Sequence, residues 1–366
     1  MGQNQQKTTS DGYFKNNPDD IDKPEIDYLA ELRAESDDPE LLVQKKGWKI
    51  GLYGFESTCK TSIALQFPPP VIAAGVDMGF SRATPMMLET KILDKKDLFL
   101  RECREIIPDT EPVELNYKAI VKNVRMHLSK GIKAISKLGH GTIVIDTVTS
   151  FWDACWNRSA EVYLKKKWCN SDGSPLRFHF GLANRWYEGL FVAVETLLKD
   201  HPNIFLVVIG TPTEKYGAGG VVLKDASNEP LLAMKAQKMT PFALDYSFRL
   251  DKLWMKSRWN FVGFVDKCAH RRGNTDAIPD LTYWKIRDYL RAEGVAFGIE
   301  DDRSPPSKPV HEIAAEWEAK KKAASRKFVM APPRKKIPPK SSKAKKPKKP
   351  VKITFKDGRA VRSPKK

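Results

Sequence analysis

The stretch WKIGLYGFESTCKTSIA, residues 48–64, decides the fold of this chain. Its first part, around Ile50 and Leu52, is a short apolar run that predicts a buried strand, and apolar periodicity resumes after Lys60 as a helix. The connecting segment GFESTCKT (54–61) matches the phosphate-binding template G-x-x-x-x-G-K-[ST] at every fixed position except one. Such a loop binds phosphate through inward-facing backbone N–H groups and the N-terminus of the following helix.

The template assigns a role to each residue of the loop. Lys60 is expected to reach the β- and γ-phosphates of a nucleoside triphosphate, and the hydroxyl of Thr61 is expected to ligate Mg²⁺. The residues expected to surround the phosphates are Gly54, Phe55, Glu56, Ser57, Thr58, Cys59, Lys60, Thr61 and Ser62. The alternative is an ordinary strand–helix turn that contains a Lys-Thr pair.

Cys59 is the one departure from the template. A glycine at this position would let the backbone approach the phosphates with no Cβ in the way. Because cysteine is small, we expect nucleotide binding to survive and hydrolysis to be slowed. A thiol at a helix N-terminus beside Lys60 is also expected to have a lowered pKa, although a buried, inert residue is the alternative.

Three further apolar runs predict buried strands that end in polar residues. Residues 71–76 end at Asp77, residues 142–145 end at Asp146, and residues 204–209 lead to Thr211, Thr213 and Glu214. Runs that are apolar throughout predict a parallel sheet covered by helices on both faces. Since ligands bind at the carboxyl ends of such strands, these polar residues are predicted to gather around the loop.

The positive charge of the chain is concentrated at one end. Residues 320–366 contain 20 Lys and Arg against a single acid, whereas residues 1–319 contain 43 basic and 44 acidic residues. The nearly neutral body is therefore not a nucleic-acid binder by composition. The tail is expected to bind a phosphate backbone through counterion release, with a solvated solubility tail as the alternative.

Four segments are predicted from composition. Residues 1–44 form an acidic, partly disordered N-terminal segment; residues 45–298 form the α/β core; 299–325 are a linker with a possible short helix; and 326–366 are a disordered Lys/Pro-rich tail. Five dispersed cysteines predict a reduced compartment, and no apolar run spans a membrane. We therefore expect a cytoplasmic protein.

These motifs resemble the RecA recombinase fold, and most closely the short RecA/RadA-like ATPases carried by phages. GFESTCKT looks like the GPESSGKT-type loop of that family, including its Glu-Ser pair. TIVIDTVTSF resembles the strand whose final acid holds Mg²⁺, which is Asp146 here. AGVDMG resembles the strand whose acid orients the attacking water, a role that falls to Asp77 although the family more often has Glu.

Two looser matches extend the resemblance, which covers about residues 47–292. VVIGTPTEKYG is similar to the strand that senses the γ-phosphate, through Thr211, Thr213 or Glu214, and continues into a mobile DNA-contacting loop, here 215–240. VDKCAHRRGN resembles the strand end that reaches the neighbouring subunit's nucleotide, which nominates Lys267 with Arg271 or Arg272. An ordinary solvated turn is the alternative for these three residues.

The resemblance implies an ATP- and Mg²⁺-dependent ATPase that acts on single-stranded DNA in phage recombination, annealing or replication. It also implies a homo-oligomer with nucleotide at the subunit interfaces, located in the host cytoplasm or nucleoid if the chain is phage-encoded. One alternative is a helicase or packaging-type motor on the same core. The other is a non-hydrolysing, nucleotide-gated DNA-binding scaffold, for which Cys59 is the main argument.

Overall fold

The computed structural model describes residues 47–108, 113–216, 221–224, 228–238, 240–255, 258–267, 276–295, 303–329, 353–356 and 359–362. The chain divides into two compact units at Trp317. The predicted N-terminal segment, most of the tail, and Arg271 and Arg272 lie outside the described residues. No helix in the described ranges combines the length and the hydropathy needed to cross a membrane.

A nine-stranded sheet forms the centre of the first unit. Its strands are β1 (Trp48–Gly54), β2 (Val71–Gly75), β3 (Leu98–Glu102), β6 (Gly141–Asp146), β7 (Ile204–Glu214), β8 (Leu232–Lys235), β9 (Tyr246–Met255), β10 (Arg258–Lys267) and β11 (Ala277–Pro279). They lie in the order β11-β10-β9-β1-β7-β6-β2-β3, with β8 paired to β7. The ladders from β9 to β3 are all parallel, and β8, β10 and β11 pair antiparallel.

Two small ladders complete the strands. They join β4 (Ile106–Ile107) to β5 (Glu114–Leu115) and, in the second unit, β12 (Ile353–Lys356) to β13 (Arg359–Arg362). The helices are α1 (Lys60–Ala64), α2 (Gly79–Glu89), α3 (Tyr117–Leu138), α4 (Val148–Lys165), α5 (His179–Asp200), α6 (Thr240–Ala243), α7 (Tyr283–Ala292) and α8 (Val310–Val329).

Helices cover both faces of the sheet. Neighbouring residues of one strand point to opposite faces, so Ala73 and Val207 belong to one core and Ile72 and Val208 to the other. The first core is closed by α1, α2, α7 and the start of α8, and the second by α3, α4 and α5. The predicted fold class, a mostly parallel α/β sheet with helices on both faces, is confirmed.

The C-terminal segment, defined here as residues 303–317, packs on the first core. It belongs to the stretch predicted as a linker with a possible short helix, and α8 begins within it. The Arg303 guanidinium donates a hydrogen bond of 2.8 Å to the carbonyl oxygen of Gln66. The Trp284 indole in turn donates to the carbonyl oxygen of Arg303 at 2.9 Å. Val310 is 4% exposed and lies in the first core. The segment therefore follows the sheet as an ordered element.

Two other stretches differ from the sequence-based expectations. Residues 148–165 carry no predicted element, and they form the 18-residue helix α4. The strand predicted over 204–209 continues to Glu214 and pairs with β8. The described part of 215–240 is accordingly the far end of a hairpin, with bridges from Tyr216 to Val222 and from Lys224 to Pro230.

Candidate functional site

The loop between β1 and α1 has the backbone of an anion-binding nest. Ser57 and Cys59 have positive φ values of 60° and 62°, and the residue between them does not. Alternation of this kind turns successive N–H groups toward one point. Among the described residues, no hydrogen bond is donated by the backbone N–H groups of 55–59. Gly54 begins the loop, where a Cβ would lie 2.2 Å from the carbonyl oxygen of Leu250.

Lys60 lies across the mouth of this loop. Its Nζ donates to the carbonyl oxygens of Gly54 at 2.8 Å and Phe55 at 2.6 Å. Burial lowers the pKa of Lys60, while the nearby carboxylates of Asp146 and Asp77 act in the opposite direction. The ammonium group is therefore held beside the free N–H groups, where an anion would bind.

Asp146 and Thr61 meet at the carboxyl end of β6. The Thr61 hydroxyl donates to Asp146 Oδ2 at 2.7 Å, across 85 residues of sequence. Asp146 is 1% exposed, and burial raises its pKa to about 7, with a further contribution from the charge of Asp77. The structure thus brings the two predicted metal ligands together.

Asp77 lies at the same edge, beyond the end of β2. Its Oδ1 accepts the backbone N–H of Gly79 at 3.2 Å. Gly79 was missed by sequence reasoning, yet a Cβ on it would lie 2.7 Å from Asp146 Oδ2 and 3.0 Å from Thr61 Oγ1. Burial raises the pKa of Asp77, and the Gly79 N–H opposes this. The signal that was available for Gly79 is its place two residues after Asp77, the acid that follows β2.

The donor set suits a hard divalent cation. A hydroxyl and a carboxylate are the oxygen ligands that Mg²⁺ takes, usually with phosphate oxygens and water completing the octahedron. Within the described ranges, no group of three or more His, Cys, Asp and Glu side chains could hold a metal by itself. Thr61 and Asp146 therefore fit Mg²⁺ that arrives with a phosphate ligand.

The thiol of Cys59 does not behave as predicted. Burial raises its pKa to about 11, and this outweighs the opposite effect of the Lys60 charge. Its neighbours across a narrow crevice include Ile63, Leu281 and Val310. The expectation of a lowered pKa is therefore wrong, because burial acts on the thiol more strongly than the Lys60 charge does.

Thr211 lies next to the loop, and Thr213 lies farther along β7. The register pairs Tyr53 with Gly210, so Thr211 is level with Gly54. The backbone N–H and the hydroxyl of Thr211 both lie within 3.2 Å of Thr149 Oγ1. Thr149, which sequence reasoning missed, donates in turn to the carbonyl oxygen of Lys235. Thr213 pairs with Ala233 in the hairpin.

Lys267 is directed toward its own chain. Its Nζ donates to the carbonyl oxygens of Pro241, at 3.1 Å, and of Leu244. The structure therefore does not bring Lys267 to the loop of the same chain. Its predicted contact with a neighbouring subunit stays a prediction.

The connection between α4 and α5 carries an exposed aromatic and basic surface, here called the α4–α5 tip (residues 163–180). Phe178 is 78% exposed and Trp168 is 46% exposed. Lys166 Nζ lies 4.4 Å from the centroid of the Trp168 ring. Lys165 and Lys167 are exposed beside it.

No protein-family model matches the chain, and no curated protein matches it either. The solved structures that are similar to it include the following two. A KaiC-like protein from the hyperthermophilic archaeon Pyrococcus horikoshii OT3 is 12% identical, with 64% of this chain and 85% of that chain covered and a TM-score of 0.34. The RadB recombinase is 17% identical, with 64% and 87% covered and a TM-score of 0.35. The fold described above rests on the strands and helices of the chain itself.

Proposed function

We propose that this chain binds ATP with Mg²⁺ and hydrolyses it in the manner of RecA/RadA-like ATPases. The contact between Thr61 and Asp146 is the observation that carries the proposal. An ordinary strand–helix turn has no reason to bring a helix-N-terminal hydroxyl to a buried carboxylate 85 residues away, beside a lysine at a loop of free N–H groups.

Each residue of the candidate site has its own role in the proposed phosphoryl transfer. The N–H groups of 55–59 and the ammonium of Lys60 neutralise phosphate oxygens, and Thr61 with Asp146 would hold Mg²⁺. Bound Mg²⁺ would supply charge stabilisation at the β- and γ-phosphate oxygens. Asp77 positions the attacking water, and Thr211 responds to the γ-phosphate through its bonds to Thr149.

A neighbouring copy completes the site in this proposal. Lys267 and Arg271 or Arg272 of the next subunit would offset charge in the transition state. Lys267 must then exchange its contacts with the Pro241 and Leu244 carbonyls for contacts with the neighbour. Nucleotide at the interface would couple ATP state to assembly of a homo-oligomer.

Single-stranded DNA is the proposed partner, in recombination, annealing or replication of a phage. The basic tail (320–366) supplies salt-dependent attraction to the phosphate backbone. Residues 215–240 and the α4–α5 tip are the proposed contacts in the core. Exposed rings beside lysines, as at Trp168, are the combination on which unpaired bases stack.

ATP hydrolysis measured with and without single-stranded DNA tests the proposal. We expect slow hydrolysis that DNA stimulates, and loss of both binding and hydrolysis in Lys60→Ala. Lys118→Ala, which removes an exposed lysine of α3, is the matched control and should resemble wild type. Hydrolysis by Lys60→Ala at the wild-type rate would refute the site.

The second candidate function is a non-hydrolysing scaffold, and Cys59 is the residue that favours it. The backbone of Cys59, at the start of α1, has the left-handed conformation for which glycine is suited. ATP binding without phosphate release, with or without DNA, would select the scaffold. DNA unwinding driven by ATP would instead select the helicase or motor.

A further inference from the structure

Glu102 stands at the same edge of the sheet as the candidate site, but neither the loop nor the metal pair uses it. It is the last residue of β3. The register pairs Gly75 of β2 with Glu102 on one side and with Asp146 on the other. Because in-register residues of parallel strands point to the same face, the two carboxylates flank the end of β2, from which Asp77 follows.

Glu102 caps α2 from a neighbouring strand. Its Oε1 accepts both the backbone N–H and the hydroxyl of Ser81, each at 2.8 Å. The residue at the N-cap position, Met78, makes no side-chain capping bond. The first turn of a helix has four N–H groups without intrahelical partners, and here Asp77 takes that of Gly79 while Glu102 takes that of Ser81.

The capped turn, residues 77–81, sets the geometry of the candidate site. Gly79 is packed so closely on Asp146 and Thr61 that an added Cβ would lie 2.7 Å and 3.0 Å from their oxygens. A small displacement of the start of α2 would therefore move Asp77 relative to the Thr61–Asp146 pair. Two carboxylates at a helix N-terminus are also favoured by the helix dipole, which makes the arrangement stable.

We propose that Glu102 is a positioning residue for Asp77: by capping α2 across the sheet it holds the turn that aims the Asp77 carboxylate. The inference rests on the proposed function, because it assigns Glu102 to the hydrolytic step and not to nucleotide binding. The charge of Glu102 also raises the pKa values of Asp77 and Asp146, which is consistent with its closeness to both.

The test compares Glu102→Ala with Glu102→Gln, whose amide oxygen still accepts from Ser81. We expect kcat in Glu102→Ala to fall by about tenfold to a hundredfold, as for a misplacement of about 1 Å, with ATP affinity within about twofold of wild type. Glu102→Gln should recover most of the loss. Glu105→Ala, which removes an exposed acid bonded to Asn123, is the control and should leave kcat unchanged.

Hydrogen exchange of the peptide spanning 77–83 provides a second readout that needs no catalysis. Exchange should be faster in Glu102→Ala and near wild type in Glu102→Gln and Glu105→Ala. Wild-type kcat with unchanged exchange in Glu102→Ala, or a parallel loss of ATP affinity and kcat, would overturn the proposal. If the wild-type protein binds ATP without hydrolysing it, the proposed hydrolysis fails, and the exchange data alone decide whether Glu102 holds the turn.

Discussion

Replacing Asp146 by Asn should stabilise the protein at alkaline pH, by an amount that shrinks as the pH falls toward 4. The folded-state pKa of Asp146 is about 7, above the usual aspartate value of 3.8. Between these values the unfolded chain loses the proton and the folded chain keeps it, so stability falls as pH rises. At about 1.4 kcal/mol per pKa unit, the loss reaches about 4 kcal/mol by pH 8. Asn keeps an acceptor for Thr61 without the buried charge.

Urea unfolding at pH 5 and pH 8 measures this effect. With an m-value of about 3 kcal/mol per molar, the midpoint of Asp146→Asn should exceed that of wild type by roughly 1 M at pH 8. The difference should shrink at pH 5. Asp153→Asn, an exposed carboxylate of α4, is the control and should shift stability by less than about 0.5 kcal/mol. Equal midpoints for Asp146→Asn and wild type at both pH values would refute the buried-carboxylate reasoning.

Three further predictions concern Cys59, Gly79 and the basic tail. Because its pKa is about 11, Cys59 should react with iodoacetamide at pH 8 roughly a hundredfold more slowly than free cysteine, measured by peptide mapping. Gly79→Ala should weaken Mg²⁺-dependent ATP binding about tenfold in a fluorescent-nucleotide titration, whereas Gly181→Ala, whose Cβ meets nothing within 4 Å, should not. Deleting 330–366 removes 15 Lys and Arg. The slope of the logarithm of the binding constant for single-stranded DNA against the logarithm of the salt concentration should then become shallower by up to about 10. An unchanged slope would place the DNA contacts in the core.

The parallel centre of the fold was predictable because its strands are apolar along their whole length. The helix α4 was not predicted, although Phe151, Ala154 and Cys155 are buried at helical spacing and Thr147 caps its start at 3.1 Å. Its polar and charged residues resemble a surface composition, and only the packing of α4 in the second core shows which of its side chains are covered. The extension of β7 was not predicted because Pro212 argues against a central strand, although proline is tolerated in the hairpin with β8.

The candidate site was predictable where one residue type has one chemical role. Lys60, Thr61 and Asp146 are specified by phosphate and magnesium chemistry, and the structure brings them together. Glu102 and Thr149 act through hydrogen bonds to residues distant in sequence, and nothing in their own neighbourhood marks them. The pKa of Cys59 is raised by burial, which the residues next to it in the sequence do not show.

The C-terminal segment determines where the chain can be shortened without harm. A protein ending at residue 298 would lose Val310 from the first core and the Arg303 contact with Gln66, beside the end of α1. In proteins truncated within 303–317, a loss of DNA affinity therefore could not be distinguished from partial unfolding. A minimal fragment of the first unit has to retain Trp317, whose indole donates to Glu89 at the far end of α2.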